Sequence, residues 1–435
     1  MTSPQHPSRI PALGESLTLE IERPAAGGRM MARHDGRVVF VAGAIPGEQV
    51  RARVMRVAKQ VVHAEVEEVL RPSPDRRAAV DLRCGGHALG HIVPSRQGTL
   101  KGEIVADAFK RLARWPLATA PRVIASPEHG YRMRARLHAS RGRIGLLREG
   151  THEVCDAAIT GQLTSDALGW IARAEEIVRR EHLDGVVVVD MAETIDGSRR
   201  ACHLELVRGE RTDRYVSLSQ GLQGLSAQAE GGPVVTLAGD TRVHDALSVT
   251  AHGATVSLSL ARDARSFFQG NRFLLEPLVN HVAGLVPEGP VVDLYAGVGL
   301  FGLALATLGH RDVVFVEGDR VSGADLAANA ARVAPGAVVH RSSVEDALSR
   351  HASGIVPEAS VVVDPPRTGL SDGARQALLV LRPSTLVYVS CDVATLARDA
   401  RAFVDAGFAL TDITAFDLFP NTAHIETVAC FVRGS

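Results

Sequence analysis

The chain has 435 residues, 46% hydrophobic and 22% charged, with a formal net charge of −1, ordinary values for a soluble globular protein of two or three domains. No apolar run approaches the length of a membrane span, and five scattered cysteines, an odd number, point to a reducing compartment, the cytoplasm. The near-neutral total hides an asymmetry. Residues 23–59 carry eight Lys/Arg against two acids, whereas residues 263–435 carry thirteen against nineteen, so a basic N-terminal module precedes an acidic one and suits a polyanionic partner.

Met1–Ala12 lacks the apolar stretch of a secretory leader and is expected to be a short disordered lead. Between Ser16 and Leu70 five short alternating strands with glycine at the corners predict a small closed barrel of the oligonucleotide-binding type. Within it Arg51 and Arg53 alternate with Val50 and Val54, placing arginine on the outer face. A linker at 72–77 leads to Cys84-Gly-Gly-His87, read as an ordinary loop cysteine because a metal site wants four well-placed donors. Residues 98–113 read as an amphipathic helix with Ile104, Ala108 and Leu112 inward and Lys101, Lys110 and Arg111 outward. From 120 to 262 an α+β pattern follows: Arg132, Arg134 and Arg136 alternate on a half-buried strand, 164–181 is helical, and strands begin at Gly185 and His203. No chemical motif stands out there.

A helix running to Leu285 starts near Ser266 or Asn271, either of which could cap it. Val291–Leu294, a glycine-rich turn with Gly297 and Gly299, a helix, and a strand ending at Glu317 make a nucleotide-binding βαβ unit. An acid at 293 would repel a diphosphate and welcome a cation, and Glu317 is placed for a ribose diol. The pair favours S-adenosylmethionine, with its sulfonium and adenosine, over a dinucleotide. A third strand begins at Val338.

Two further apolar runs, 360–363 and 385–389, read as buried parallel strands. They end at Asp364-Pro365-Pro366-Arg367 and at Ser390-Cys391-Asp392, and chemistry in an open α/β sheet sits beyond such ends. Glu426 enters on a third segment. An acid, a thiol and a second acid beside a methyl donor suggest pyrimidine chemistry. C5 of a pyrimidine is too electron-poor to take a methyl cation unaided. A thiolate adding to C6 makes C5 nucleophilic, and a base must then remove the C5 proton so that the thiol can leave. Cys391 is the candidate nucleophile and Glu426 the candidate base; Cys202 and Cys430 read as inert core thiols.

Five blocks in order carry a resemblance: Phe-Phe-Gln-Gly-Asn at 267–271, Asp-Leu-Tyr-Ala-Gly-Val-Gly at 293–299, Asp-Pro-Pro-Arg-x-Gly at 364–369, Ser-Cys-x-x-x-Thr-Leu-Ala-Arg-Asp at 390–399 and Asp-x-Phe-Pro-x-Thr-x-His-x-Glu at 417–426. Over nearly its whole length the chain resembles the TRAM-domain RNA uracil-C5 methyltransferases, which make 5-methyluridine in 23S rRNA or tRNA. The resemblance implies an α/β fold: an OB-like TRAM barrel (13–72), an α+β middle domain (73–262) and a Rossmann-like methyltransferase domain (263–435). By the family's pattern Gln269, Tyr295, Glu317 and Asp364 contact S-adenosylmethionine, with Ser342 where an asparagine is usual. Cys391 attacks C6 and Glu426 takes the proton. RNA is the expected partner, with no membrane and no obligate protein partner.

Departures are Asp392-Val393 in place of Asn-Pro after the cysteine, and Leu300 in place of an asparagine. Many members hold a four-iron cluster on four cysteines; the matching positions here read Ala78, Cys84 and His87, with Cys155 as the distant one. Two ligands are missing, so no iron–sulfur cluster is expected. Two other readings remain: an exocyclic-amine RNA methyltransferase, since Asp-Pro-Pro also accepts an amine hydrogen bond, and a non-catalytic RNA-binding protein on an inherited cofactor fold.

Overall fold

In a computed structural model the described residues are 10–58, 61–78, 81–350 and 358–434. Lys59 and most of the expected N-terminal lead lie outside them. Strands β1 (Ser16–Pro24), β2 (Met30–His34), β3 (Arg37–Ala42), β4 (Gln49–Val57) and β5 (Val61–Arg71) close a barrel in the order β1-β2-β3-β5-β4. Alternation builds it: Leu17, Leu19, Val50, Ala52 and Val54 point inward, whereas Arg51 and Arg53 point out. Those two arginines meet Glu68 and Glu67 of β5 at 2.6 and 2.5 Å, so neighbouring carboxylates neutralise this strip of the outer face.

Helix α1 (Pro94–Ala108) follows. It ends in a π-turn over Phe109–Ala113, whose extra residue rotates the face: Phe109 and Ala113 are buried and Leu112 is 48% exposed. Lys101, expected outward, is fully buried, because it has an acidic partner described below. Strand β6 (Val123–Ile124) comes next.

Strands β7 (Arg134–Ser140), β8 (Arg143–Leu147) and β9 (Val154–Asp156) precede helix α2 (Ser165–Glu181). Strands β10 (Val186–Glu193), β11 (Arg200–Leu206), β12 (Gly224–Ala229) and β13 (Val235–Gly239) complete a seven-stranded sheet, β13-β12-β11-β10-β7-β8-β9. Thr164 caps α2 by accepting from Ala167 N at 3.1 Å. The helix buries Trp170, Ala174 and Val178 in the core under this sheet, each large side chain contributing about 1.5–3 kcal/mol. In the same core Cys84 and Cys155 form a disulfide. This corrects the reading of Cys84 as an ordinary loop cysteine: the bridge β8–β9 hairpin brings Cys155 beneath the loop after the barrel, where Cys84 pairs with Arg148.

A long hairpin, β14 (Arg242–Ala251) and β15 (Ala254–Asp263), leads to α3 (Leu275–Leu285). The last unit holds β16 (Val291–Leu294), α4 (Leu300–Thr307), β17 (Val313–Val316), α5 (Arg320–Val333), β18 (Val338–His340), α6 (Val344–Arg350), β19 (Ser360–Val363), α7 (Asp372–Leu381), β20 (Thr385–Ser390), α8 (Val393–Asp405), β21 (Phe408–Phe416) and β22 (Glu426–Arg433). Its sheet runs β18-β17-β16-β19-β20-β22-β21-β6. Strands β16 to β20 are parallel, and β22 runs antiparallel between β20 and β21. The short parallel strands are buried on both faces, which is why they read as unbroken Val-rich runs. Residues of α3, α4, α5 and the hairpin cover one face, and residues of α1, α6, α7 and α8 the other. The segments 94–124 and 242–263, counted with the middle of the chain by sequence, thus pack on this sheet.

Candidate active site

Strand order reverses between β16 and β19, so the loops leaving these two strands part and open a crevice. After β16 the chain turns through Tyr295, Gly297 and Gly299 at φ of 57°, 58° and 98°. At Gly299 a Cβ would lie 2.6 Å from Leu303 Cδ1 and 2.9 Å from Leu326 Cδ1, so only glycine lets α4 start there. Asp293 does not face the crevice. It is fully buried toward α4, where Oδ2 accepts from Gly302 N at 2.8 Å and Oδ1 has no partner. Burial pushes its carboxyl up to about 8. It therefore ties the glycine turn to its helix and does not meet a ligand cation, as the sequence had suggested.

Glu317, at the end of β17, closes the same turn: Oε2 accepts from Gly297 N at 2.7 Å and Oε1 from Asp319 N at 2.6 Å. Burial raises its pKa, and those N–H groups oppose the rise. Beyond β19, Asp364 accepts from Gln269 Nε2 at 3.1 Å. Burial lifts Asp364 to about 7; the Gln269 hydrogen bond opposes this and the Glu317 charge adds to it. Gln269 stands on the segment before α3. Neither expected residue caps that helix: Asn271 closes the turn before it, its Oδ1 accepting from Phe273 N and Leu274 N at 2.9 and 3.1 Å, while Ser266 donates to Asp325 at 2.6 Å.

Cys391 and Glu426 are brought together by the sheet. The β20–β22 ladder ends at the pair Ser390 and Thr427, and one step further along each strand stand Cys391 and Glu426. Burial first, then the Glu426 and Asp364 carboxyls, push the Cys391 thiol up to about 11, against a pull from Arg367. Glu426 is 3% exposed, and its Oε1 has no partner. Its carboxyl is held well above the usual range by burial and by Asp364, with Arg367 opposing. Three carboxyls and a thiol crowded in this way favour an incoming cation, which would draw their pKa values down.

Gln269, Tyr295, Glu317, Asp364, Cys391 and Glu426 all line one cavity of about 600 Å3. Ser342 is not on its wall; its hydroxyl donates to Ser343 O at 3.3 Å. The wall also holds groups that the sequence reading did not single out for the site. Arg134 lies over the ring of Phe267 and Arg132 over that of Phe419, both at 5.6 Å, and Arg265 and Arg367 stand nearby. The alternation of Arg132 and Arg134 was visible, but nothing local tied it to rings more than 130 residues away. Asp392 takes over as helix cap for α8, accepting from Ala394 N and Thr395 N at 3.0 and 2.9 Å, so the departure from Asn-Pro has a structural role. Leu300 is buried as the first residue of α4.

The model of the TRAM domain family matches residues 12–66, and that described as tRNA (Uracil-5-)-methyltransferase matches residues 356–433. A protein of Pseudomonas putida named 23S rRNA (uracil(1939)-C(5))-methyltransferase RlmD is 32% identical over 97% of this chain and 95% of its own. The chain belongs to the S-adenosylmethionine-dependent RNA uracil-C5 methyltransferases. An RNA methyltransferase of Streptomyces avermitilis is 31% identical, over 96% of this chain and 98% of its own. The crystal structure of Pyrococcus abyssi tRNA (uracil-54, C5)-methyltransferase in complex with S-adenosyl-L-homocysteine matches with a TM-score of 0.72 at 22% identity, covering 96% of this chain and 100% of that one. That likeness shows that this uracil-C5 methyltransferase family member shares the fold. Among the described residues no three His, Cys, Asp or Glu side chains are grouped to hold a metal ion, and no helix is long and apolar enough to cross a membrane.

Proposed function

We propose that the chain methylates C5 of a uridine in RNA through a transient bond between Cys391 and C6. The observation that carries this reading is the placement of Cys391 and Glu426 at facing ends of adjacent strands, in one cavity with Asp364 and Gln269. S-adenosylmethionine, when bound, supplies the methyl group on its sulfonium. The residues fit it: Glu317 and the Gly297 turn for the ribose, Tyr295 and Gln269 along its length, and a carboxyl-rich wall for its positive charge. Ser342 is off that wall, so we assign it no contact.

Cys391 gives up its proton to solvent, and the thiolate sulfur forms a bond to C6 while the C5–C6 π electrons move toward the O4 carbonyl. Asp364, lifted by burial to about 7, is about half protonated near neutral pH, and its protonated form can donate a hydrogen bond to the uracil edge and favour that enolate. Once C5 carries the methyl group, Glu426 takes the C5 proton. The freed electron pair rebuilds the C5–C6 double bond, and the Cys391 sulfur departs with its own pair. Glu426 needs its carboxylate form for this, which Arg367 favours.

An RNA bearing 5-fluorouridine tests the scheme, because fluorine cannot leave as a proton and the adduct is trapped. Wild-type protein should form a denaturation-resistant adduct, and Cys391→Ala should form none. Methylation without any adduct would instead indicate exocyclic-amine chemistry. The likeness to the Pseudomonas relative makes 23S rRNA the first RNA to try, with tRNA second, and we place the reaction in the cytoplasm.

A further inference from the structure

The loop that carries Phe419 and leads into Glu426 is gripped from outside the catalytic strands. Lys101 of α1 is fully buried, and its Nζ donates to Asp417 Oδ1 at 2.5 Å and to Phe419 O at 3.2 Å. One turn earlier on the same helix face, Gln97 exchanges two hydrogen bonds with Asn421, Nε2 to Oδ1 and Asn421 N to Oε1, both at 2.9 Å. Asn421 sits at φ 66°, a left-handed conformation that needs such support. Arg77, from the barrel linker, donates to the same Oδ1 at 2.7 Å. Beyond the grip the loop is a chain of local bonds: Thr422 Oγ1 donates to Phe419 O at 2.7 Å and accepts from His424 N at 3.0 Å. A shift at Phe419 is therefore passed on to the residues just before Glu426.

Burying an ammonium and a carboxylate strips both ions of their solvation, and an apolar pair would fill the space without that cost. Stability alone does not explain Lys101; geometry does. We propose that Lys101 and Gln97 are positioning residues for proton removal, holding loop 417–424 so that Glu426 stays in register with Cys391. This rests on the reading of Glu426 as the base. Attack by Cys391 on C6 depends on β20 and α8 and should be much less sensitive to the grip, which reaches the cavity wall only through Phe419.

The test uses the full-length protein, S-adenosylmethionine and RNA carrying tritium at C5 of uridine. In Lys101→Met, adduct formation with 5-fluorouridine RNA should stay within about threefold of wild type, while tritium release slows by about tenfold to a hundredfold, the range expected when a base is displaced by about 1 Å. Methylated RNA should then accumulate bonded to the protein, and Lys101→Arg should restore part of the release. The variant Lys101→Met/Asp417→Asn leaves no buried charge unpaired and carries the same expectation should the single variant not fold. Equal slowing of both steps, or unchanged tritium release in either folded variant, would overturn the proposal. Glu426→Gln is the reference: if it accumulates no adduct, the base assignment fails and not the grip.

Discussion

At the scale of single residues, the site is a set of groups held away from their ordinary ionisation. Cys391 is pushed up to about 11 by burial and by the carboxyls beside it, so at neutral pH it rests as a thiol. The reactive thiolate fraction rises about tenfold per pH unit below that value. The rate of adduct formation with 5-fluorouridine RNA is expected to climb steadily from pH 7 to pH 9, and a flat profile in stopped-time gel assays would contradict this. Asp293 makes a second case. Its folded pKa of about 8 exceeds the ordinary 3.8, so the folded chain holds this proton more tightly than the unfolded chain. The stabilisation is complete below about pH 4 and is lost as pH rises through about 8. Asp293→Asn keeps an acceptor for Gly302 N without the titration. Its melting temperature should therefore fall less than that of wild type between pH 5 and pH 9.

Among the elements, what could be read from sequence follows from what is local. Four-residue Val-rich runs ending at Leu294, Val316 and Val363 are buried parallel strands, and β-branching with two covered faces explains their legibility. The glycine turn and Glu317 also emerged, since they lie in one βαβ unit. Lys101 was misplaced because periodicity reports the average face of a helix, and its partner Asp417 lies 316 residues on. Asp293 was read as facing a ligand because a strand end gives no parity for its last side chains. The Cys84–Cys155 pairing spans 71 residues and has no local mark. At this scale the π-turn of Phe109–Ala113 packs Phe109 into the core beside α8, and Phe109→Ala is expected to cost about 3–5 kcal/mol, readable in urea unfolding.

Across the whole molecule, charged clusters buried at the seams join the units. Glu193 of the middle sheet accepts from Arg200 and from Arg272, the latter on the segment entering α3, both at 2.6 Å. Arg262 of β15 bonds Asp245 at 3.0 Å and lies 4.4 Å from the ring centre of Phe268, a cavity residue. The disulfide ties the barrel's exit loop to the middle sheet. Closing a loop of 71 residues stabilises a fold by about 2–4 kcal/mol, so Cys84→Ser/Cys155→Ser should melt lower than the oxidised wild type and ignore reductant. In a reducing cytoplasm the bridge would stand open, and the difference between the two melts gives the reserve lost there.

One consequence follows from the reversed strand β22. Because it runs against β20, the two reacting side chains are spaced by the end of a hydrogen-bonded ladder and by the held loop 417–424, and not by the length of α8 or of its turn into β21. The α8–β21 connection can therefore lengthen or shorten at its turn, around Ala406-Gly407, without retuning the chemistry. A two-glycine insertion there should leave turnover intact, whereas deleting a single residue at the start of β22 should silence it by turning Glu426 to the other side of the sheet.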